Sequence, residues 1–273
     1  MKTLKRLLRK TYQSTRPKWP TPRYDVNIQP HFFFLITPPY SGSTAIAELL
    51  DTSPRTMLLS SNGEGQWLVP GLCEQNRWDP EKTVDYESVK AVWLNTFQKQ
   101  HRLNPHVDVV IEKSPPNMMR IGELSSQFIN CSFLANNRDP YANCASIFYR
   151  HHDPENISST EREDVLKNIA QNWLMRSNKL KEIITENEVT LLTYEQFCQN
   201  PSLILEVLNL PKGVSSTIDI DAKVKVKDYK VQSISNQNER QISKLTSADI
   251  ESIGSVLEAE NSLLEFFGYK VMR

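Results

Sequence analysis

The chain has 273 residues, and 32 Lys+Arg balance 32 Asp+Glu. That length allows one large α/β domain with a proper core, while the even charge argues against nucleic-acid binding, which calls for a strongly basic balance or face. No apolar run approaches the ~20 residues of a transmembrane helix, and the basic N-terminus lacks the apolar stretch of a secretory signal.

Charge is uneven locally. Lys2, Lys5, Arg6, Arg9, Lys10, Arg16, Lys18 and Arg23 precede the first acid, Asp25. This reads as a solvated basic arm over residues 1–30, with Leu4, Leu7 and Leu8 on one side of a short helix; the other reading is a membrane-surface or partner-docking segment. The remaining residues, 31–273, form the expected domain.

Strand-like runs then recur at 32–37 (FFFLIT), 57–60 (MLLS), 107–113 (VDVVIEK), 131–137 (CSFLANN) and 189–195 (VTLLTYE). Several are apolar without alternation, as in strands covered on both faces. Helical patterns separate them. The β-α-β-α order predicts an α/β fold: a P-loop-like, three-layer α/β/α domain with a mostly parallel central sheet. A helix is predicted near 86–101. SPPNMMRIGEL opens another, with Ser114 at the cap and prolines in the first turn. TERE at 160–163 reads as a capping box for a long helix whose apolar face is Val165, Ile169, Trp173, Leu180 and Ile184, ending near Asn187. SADIESIGSVL and SLLEFFGY supply the last helices. Between them the polar 232–241 segment reads as a long loop, of the kind that often carries function. Lys223, Lys225 and Lys227 alternate with valines and should face solvent from a strand.

Cys73, Cys131, Cys144 and Cys198 are far apart and read as buried thiols in a reducing compartment, and the five histidines form no ligand-spaced pair, so no metal is expected. Two strand–loop–helix junctions stand out instead. In PPYSGST (38–44), successive backbone N–H groups and a helix N-terminus converge on one concavity. Gly42 permits close backbone approach, and Ser41, Ser43 and Thr44 add hydroxyl donors. In NNRDPYANCAS (136–146), Arg138 ends a strand, where open α/β sheets bind ligands. Ser146 follows two helical turns later, and Arg and Ser together suit a phosphate. Taken singly, each has a bland alternative: a capped βα turn, or a surface Arg–Asp link.

In this order and spacing the two motifs resemble the sulfotransferase superfamily that uses 3′-phosphoadenylyl sulfate (PAPS). The resemblance runs over roughly residues 31–270 and includes VTLLTYEQFCQNPSLILEVLNL and the closing SLLEFFGY. It implies that Pro39, Tyr40, Ser41, Gly42, Ser43 and Thr44 hold the 5′-phosphosulfate and that Arg138 and Ser146 grip the 3′-phosphate. Two further stretches are similar to the tyrosylprotein and glycosaminoglycan branch. SNGEGQWLVPGL would supply Glu64 as base, and EKSPPN would supply Lys113 at the reaction centre. Tyr40 departs from the pattern, since many relatives place Lys or Arg there; tyrosine is a neutral donor near pH 7. The implied activity is transfer of a sulfuryl group from PAPS to the hydroxyl of a sugar, lipid, peptide or small molecule, without metal. The analogy is in-line phosphoryl transfer, with a base on the acceptor and a cation on the bond that breaks.

Trp67, beside Glu64, is a candidate acceptor contact; Trp78, Trp93 and Trp173 read as packing. The resemblance also implies a C-terminal loop over the nucleotide near Tyr229, Lys230 and Arg240, although the family's R-K-G pattern is missing. Two rival functions stay open: a P-loop phosphotransferase, disfavoured by the missing GK[ST], and a non-catalytic nucleotide-binding protein on the same fold. Golgi members of the superfamily carry a membrane anchor, so the expected location here is cytoplasmic.

Overall fold

A computed structural model describes residues 24–226 and 230–272. Most of the basic arm, with Leu4, Leu7 and Leu8, and residues Lys227 and Tyr229 lie outside the described residues. Residues 25–28 are tethered by Gln98, which accepts from the Asp25 N–H at 2.9 Å and donates to the carbonyls of Asp25 and Ile28.

Four strands form one sheet in the order β2-β3-β1-β4: β1 His31–Ile36, β2 Thr56–Leu58, β3 Val109–Glu112 and β4 Cys131–Ala135. Every pairing is parallel. The strand at the centre, β1, shows why the apolar runs lack alternation. Phe32, Phe34 and Ile36 face one core, with Trp93, Phe148 and Trp173. Phe33 and Leu35 face the other, with Ile46, Leu50 and Phe197. Consecutive strand side chains point to opposite faces, so a strand covered on both sides is apolar throughout. Each fully buried Phe, Leu or Ile contributes about 1.5–3 kcal/mol.

The helices cover both faces. On the first core lie α2 (Tyr86–Leu103), α4 (Pro140–His151), α5 (Ser159–Glu186), α9 (Ser247–Leu257) and α10 (Asn261–Phe266). On the second lie α1 (Ser43–Leu50), α6 (Tyr194–Gln199) and α7 (Leu203–Val207). The three-layer α/β/α expectation therefore stands.

Several local expectations change. The predicted fifth strand, 189–195, is a single parallel bridge from Leu191 to Ala135. It is cut short because Thr193 caps α6, accepting from the Gln196 N–H in a capping box. SPPNMMRIGEL splits into a 3-10 turn, Pro115–Met119, and α3, Ile121–Gln127; the Ser114 hydroxyl is committed to Glu112 and caps nothing. The long helix α5 is capped by Ser158, not within TERE: its Oγ accepts from the Glu161 N–H at 3.2 Å. Its inner face is Leu166, Ile169, Ala170, Trp173, Ser177, Leu180 and Ile183, whereas Val165 and Ile184 are half-buried. The 232–241 loop ends in a helix, α8 (Asn238–Ile242). Lys223 and Lys225 are exposed around buried Val224, but only an isolated antiparallel bridge, Val224 to Gln232, joins this segment to another. Of the cysteines, only Cys144 is buried; Cys73, Cys131 and Cys198 are half-buried, and all four are free.

Candidate active site

The carboxyl ends of the parallel strands converge on one cavity of about 460 Å³. This is where open α/β sheets place ligands. Three walls come from residues that follow strands: Pro39, Tyr40, Gly42, Ser43, Thr44 and Ala45 after β1, Lys113 after β3 and Arg138 after β4. Glu64 arrives on the segment after β2, and Val224, Val226, Gln232, Ser233, Ile234, Ser235, Gln237 and Gln241 line the far side.

The loop after β1 is built around a close approach. Gly42 has φ +84, and a Cβ there would stand 2.2 Å from the Tyr194 ring. Only glycine fits on both counts. Gly42 is also the cap residue of α1, with no side-chain cap. Among the described residues no side chain caps the first N–H groups of that helix, an arrangement suited to anions. Pro39, Tyr40, Gly42, Ser43 and Thr44 line the cavity. Ser41 does not: it is fully buried and is approached from behind by the Asn143 amide, which donates to the Pro39 carbonyl at 2.9 Å. Its hydroxyl belongs to the loop's support. Tyr40 has φ +65, a left-handed conformation uncommon for a non-glycine residue. Its hydroxyl lies 2.7 Å from His151 Nε2. Burial holds the phenol above its usual pKa, against the lowering charge of Arg150. Arg150 also lines the cavity and was missed in the sequence; its position one helical turn after Ser146 was the available signal.

Arg138 lines the cavity beyond the end of β4. It is 6% exposed, and among the described residues no carboxylate forms an ion pair with it. Nε donates to Asn238 Oδ1 at 2.8 Å, and Nη1 donates to the Tyr40 carbonyl at 3.2 Å and to Ser146 Oγ at 3.3 Å. Nη2 is buried without a hydrogen-bond partner among the described residues. The guanidinium lies 4.4 Å from the centre of the Tyr194 ring, and the Trp173 indole N–H donates to the Arg138 carbonyl at 3.1 Å. Arg138 and Asp139 form no surface ion pair among the described residues. Asp139 instead caps α4, accepting from the Ala142 N–H at 2.8 Å.

Glu64 and Lys113 meet. Lys113 Nζ is 3.4 Å from Glu64 Oε1, and Glu64 Oε2 accepts from Trp67 Nε1 at 2.7 Å and Gln66 Nε2 at 3.1 Å. Burial pushes the Glu64 carboxyl up, but the Lys113 charge and these donors outweigh it, leaving its pKa below the ordinary value. Burial lowers the Lys113 pKa, opposed by Glu64, Glu112 and Glu48.

What brings them together is Glu112, which sequence reasoning passed over. It is fully buried and collects four donors: the N–H groups of Gly65 (2.8 Å) and Ser114 (2.9 Å), the Ser114 hydroxyl and the Asn117 amide. It thus ties the Glu64 segment to the Lys113 segment. Burial raises its pKa to about 7. The available signal was an acid at the end of an otherwise apolar strand, followed at once by Lys113.

Trp67 lines the cavity as expected, and so does Trp78, which had been read as packing. Trp93 and Trp173 are core. Residues Val224, Gln232, Ser233, Ile234, Ser235 and Gln237 form the C-terminal wall, partly through Tyr194, whose hydroxyl donates to the Ser235 carbonyl and accepts from the Gln237 N–H. Lys230 and Arg240 are exposed and do not line the cavity; Lys244 does. Among the described residues, no group of three His, Cys, Asp or Glu is placed to hold a metal, and no helix is long and apolar enough to cross a membrane.

Fold and site together define an α/β protein with a four-stranded parallel sheet flanked by helices, like the P-loop fold of sulfotransferases. Two solved structures carry that comparison. Sulfotransferase STF9 from Mycobacterium avium superposes with a TM-score of 0.53 at 14% identity, covering 98% of this chain and 83% of its own. A sulfotransferase from Alicyclobacillus acidocaldarius gives 0.50 at 13% identity, covering 88% and 95%. At such identities the likeness is one of fold. No protein-family profile and no curated protein matches at the sequence level.

Proposed function

We propose that this chain is a PAPS-dependent sulfotransferase acting on an acceptor hydroxyl. The observation that carries the reading is the buried Arg138, which among the described residues has no ion-pair partner and one nitrogen without a hydrogen-bond partner, sharing a cavity with the Glu64–Lys113 pair. A buried guanidinium without a counter-ion is costly unless an anion completes it. The residues present fit the nucleotide: Arg138 and Ser146 for the 3′-phosphate, and the 39–44 loop with the start of α1 for the 5′-phosphosulfate.

When bound, PAPS supplies the sulfuryl group, its S–O bond breaking with the electron pair left on the phosphate oxygen. The chain's own residues do the rest. Lys113, 2% exposed, places a charge where desolvation strengthens it. Glu64 is held ionised and can take the acceptor's proton. While Lys113 faces Glu64 alone, the carboxylate is a weak base; an anion drawing on the Lys113 charge strengthens it. Tyr40 adds a hydroxyl but no charge, and Arg150 supplies the cation on that side of the cavity. In this reading Glu64 and Lys113 take the roles of base and cation that the sequence resemblance implies.

The test is calorimetric titration with 3′-phosphoadenosine 5′-phosphate (PAP), beside ATP·Mg²⁺. Micromolar or tighter PAP binding that collapses in Arg138→Ala supports the reading, and transfer from labelled PAPS completes it. Absence of PAP binding sinks it; tight ATP·Mg²⁺ binding would favour a phosphotransferase.

A further inference from the structure

One end of the cavity has a cation, Arg77, that the nucleotide reading leaves unused. The 3-10 turn Gln75–Trp78 carries Arg77 and Trp78, and both line the cavity with Trp67. The Arg77 guanidinium lies 5.6 Å from the Trp67 ring centre, and the Arg176 guanidinium lies 4.5 Å from that of Trp78. Arg176, on α5 behind Trp78, has a buried Nε with no hydrogen-bond partner. Burial and the charge of Arg77 both lower its pKa. Among the described residues, neither arginine has an ion-pair partner.

Two guanidinium groups that feel each other, with no carboxylate between them, leave positive charge uncompensated. An anion against Arg77 would relieve it, and the guanidinium fork suits carboxylate, sulfate or phosphate. The neighbouring surface is flat and apolar, from Trp67, Trp78, Pro115 and Pro116. Such walls stack on aromatic rings or on the C–H face of a sugar. The distance to the chemistry is short, because the Trp67 indole N–H that reaches Glu64 belongs to the same ring that Arg77 covers.

We propose that the acceptor is itself an anion. It is a hydroxylated ring compound whose acidic group lies on Arg77 and whose ring lies against Trp67 and Trp78, with the hydroxyl presented to Glu64. The proposal rests on the sulfotransferase reading. Arg77 and Arg176 lie apart from the loop and Arg138, so the nucleotide and the acidic group are recognised by different residues.

Two matched pairs of probes test it and separate the two sources of such a ring. 4-Nitrophenyl β-D-glucuronide is compared with the neutral glucoside, and 4-hydroxyphenylacetate with 4-hydroxyphenylacetamide, by calorimetry with and without saturating PAP. The charged member of at least one pair should bind about tenfold more tightly, the size of a charge-assisted hydrogen bond. Arg77→Gln should erase that difference and Arg77→Lys should keep part of it. The melting temperature of each variant checks folding, and the wild-type comparison stands without any variant. Equal affinity within both pairs, no binding by either charged probe, or a preference that survives in a folded Arg77→Gln overturns the proposal. Loss of PAP binding with the acid preference intact counts against the sulfotransferase reading and not against the Arg77 site.

Discussion

The two ends of the cavity are built differently. At the Arg138 end, the loop after β1 and the residue after β4 are delivered by neighbouring strands, so their approach follows from sheet register: Ile36 of β1 pairs with Ala135 of β4. At the Glu64 end, the segment after β2 has only 3-10 turns, Gly65–Leu68 and Gln75–Trp78, and it owes its place to side chains. Glu112 holds Gly65 from below, and Trp93 donates to the Gly65 carbonyl at 3.1 Å. A Cβ on Gly65 would meet Leu59 and Trp93 at 2.8 and 2.9 Å. One end rests on backbone pairing, the other on a buried carboxylate. The first should tolerate side-chain change outside its ligand contacts, and the second should not.

The sharpest break in that contrast comes from the reacting pair. Glu64→Gln and Lys113→Ala should each lower kcat by about 10²–10³, while PAP affinity stays close to wild type; single-turnover transfer of labelled sulfate reads the first quantity and calorimetry the second. Survival of full transfer in both variants would remove this pair from the chemistry. At the other end, Arg138→Ala should weaken PAP by roughly 2–5 kcal/mol with little effect on Glu64 or Lys113, measurable as a displaced binding isotherm. Gly42→Ala forces a left-handed alanine against Tyr194 and should cost about 1–3 kcal/mol, seen as a lower midpoint in urea and weaker PAP binding.

Glu112 sharpens the comparison through pH. Its folded pKa, raised to about 7 from 4.5, means the folded state binds the proton more tightly. The associated stability is fully present below about 4.5 and is lost as pH rises through about 7. Glu112→Gln removes that slope from a stability–pH curve. It also replaces an acceptor with a donor facing other donors, costing about 1–3 kcal/mol, and should lower kcat while sparing PAP affinity. An unchanged slope would show that Glu112 is not the titrating group. Ser146→Ala should give the smallest effect, about 1 kcal/mol in PAP binding, since Arg138 keeps its contacts to Asn238 and Tyr40.

The legible part of the site follows the same division. Arg138, Ser146, Pro39, Tyr40, Gly42, Ser43 and Thr44 all line the cavity, because short motifs at strand ends carry their placement. Glu64 and Lys113 came from resemblance, and their 3.4 Å approach joins residues 49 positions apart in sequence. Arg77, Trp78, Arg150 and Glu112 were not singled out. Each looks ordinary alone: an exposed-looking turn arginine, a packing tryptophan, a helix arginine, a strand-end acid. Ser41 went the other way, chosen as a ligand donor yet buried behind the loop.

What the sequence by itself determined is the α/β order, the doubly covered central strand and the anion-ready loop. These depend on hydrophobic period, on glycine at a left-handed position and on residues close together in the chain. The fifth strand was cut to a single bridge by a helix cap, and the second half of the polar segment became α8. Those outcomes, and the gathering of Glu64, Lys113, Glu112 and the Trp67–Arg77 wall, were decided only in the tertiary structure. There, burial sets which charges are compensated, and contacts between distant segments determine which side chains share a cavity.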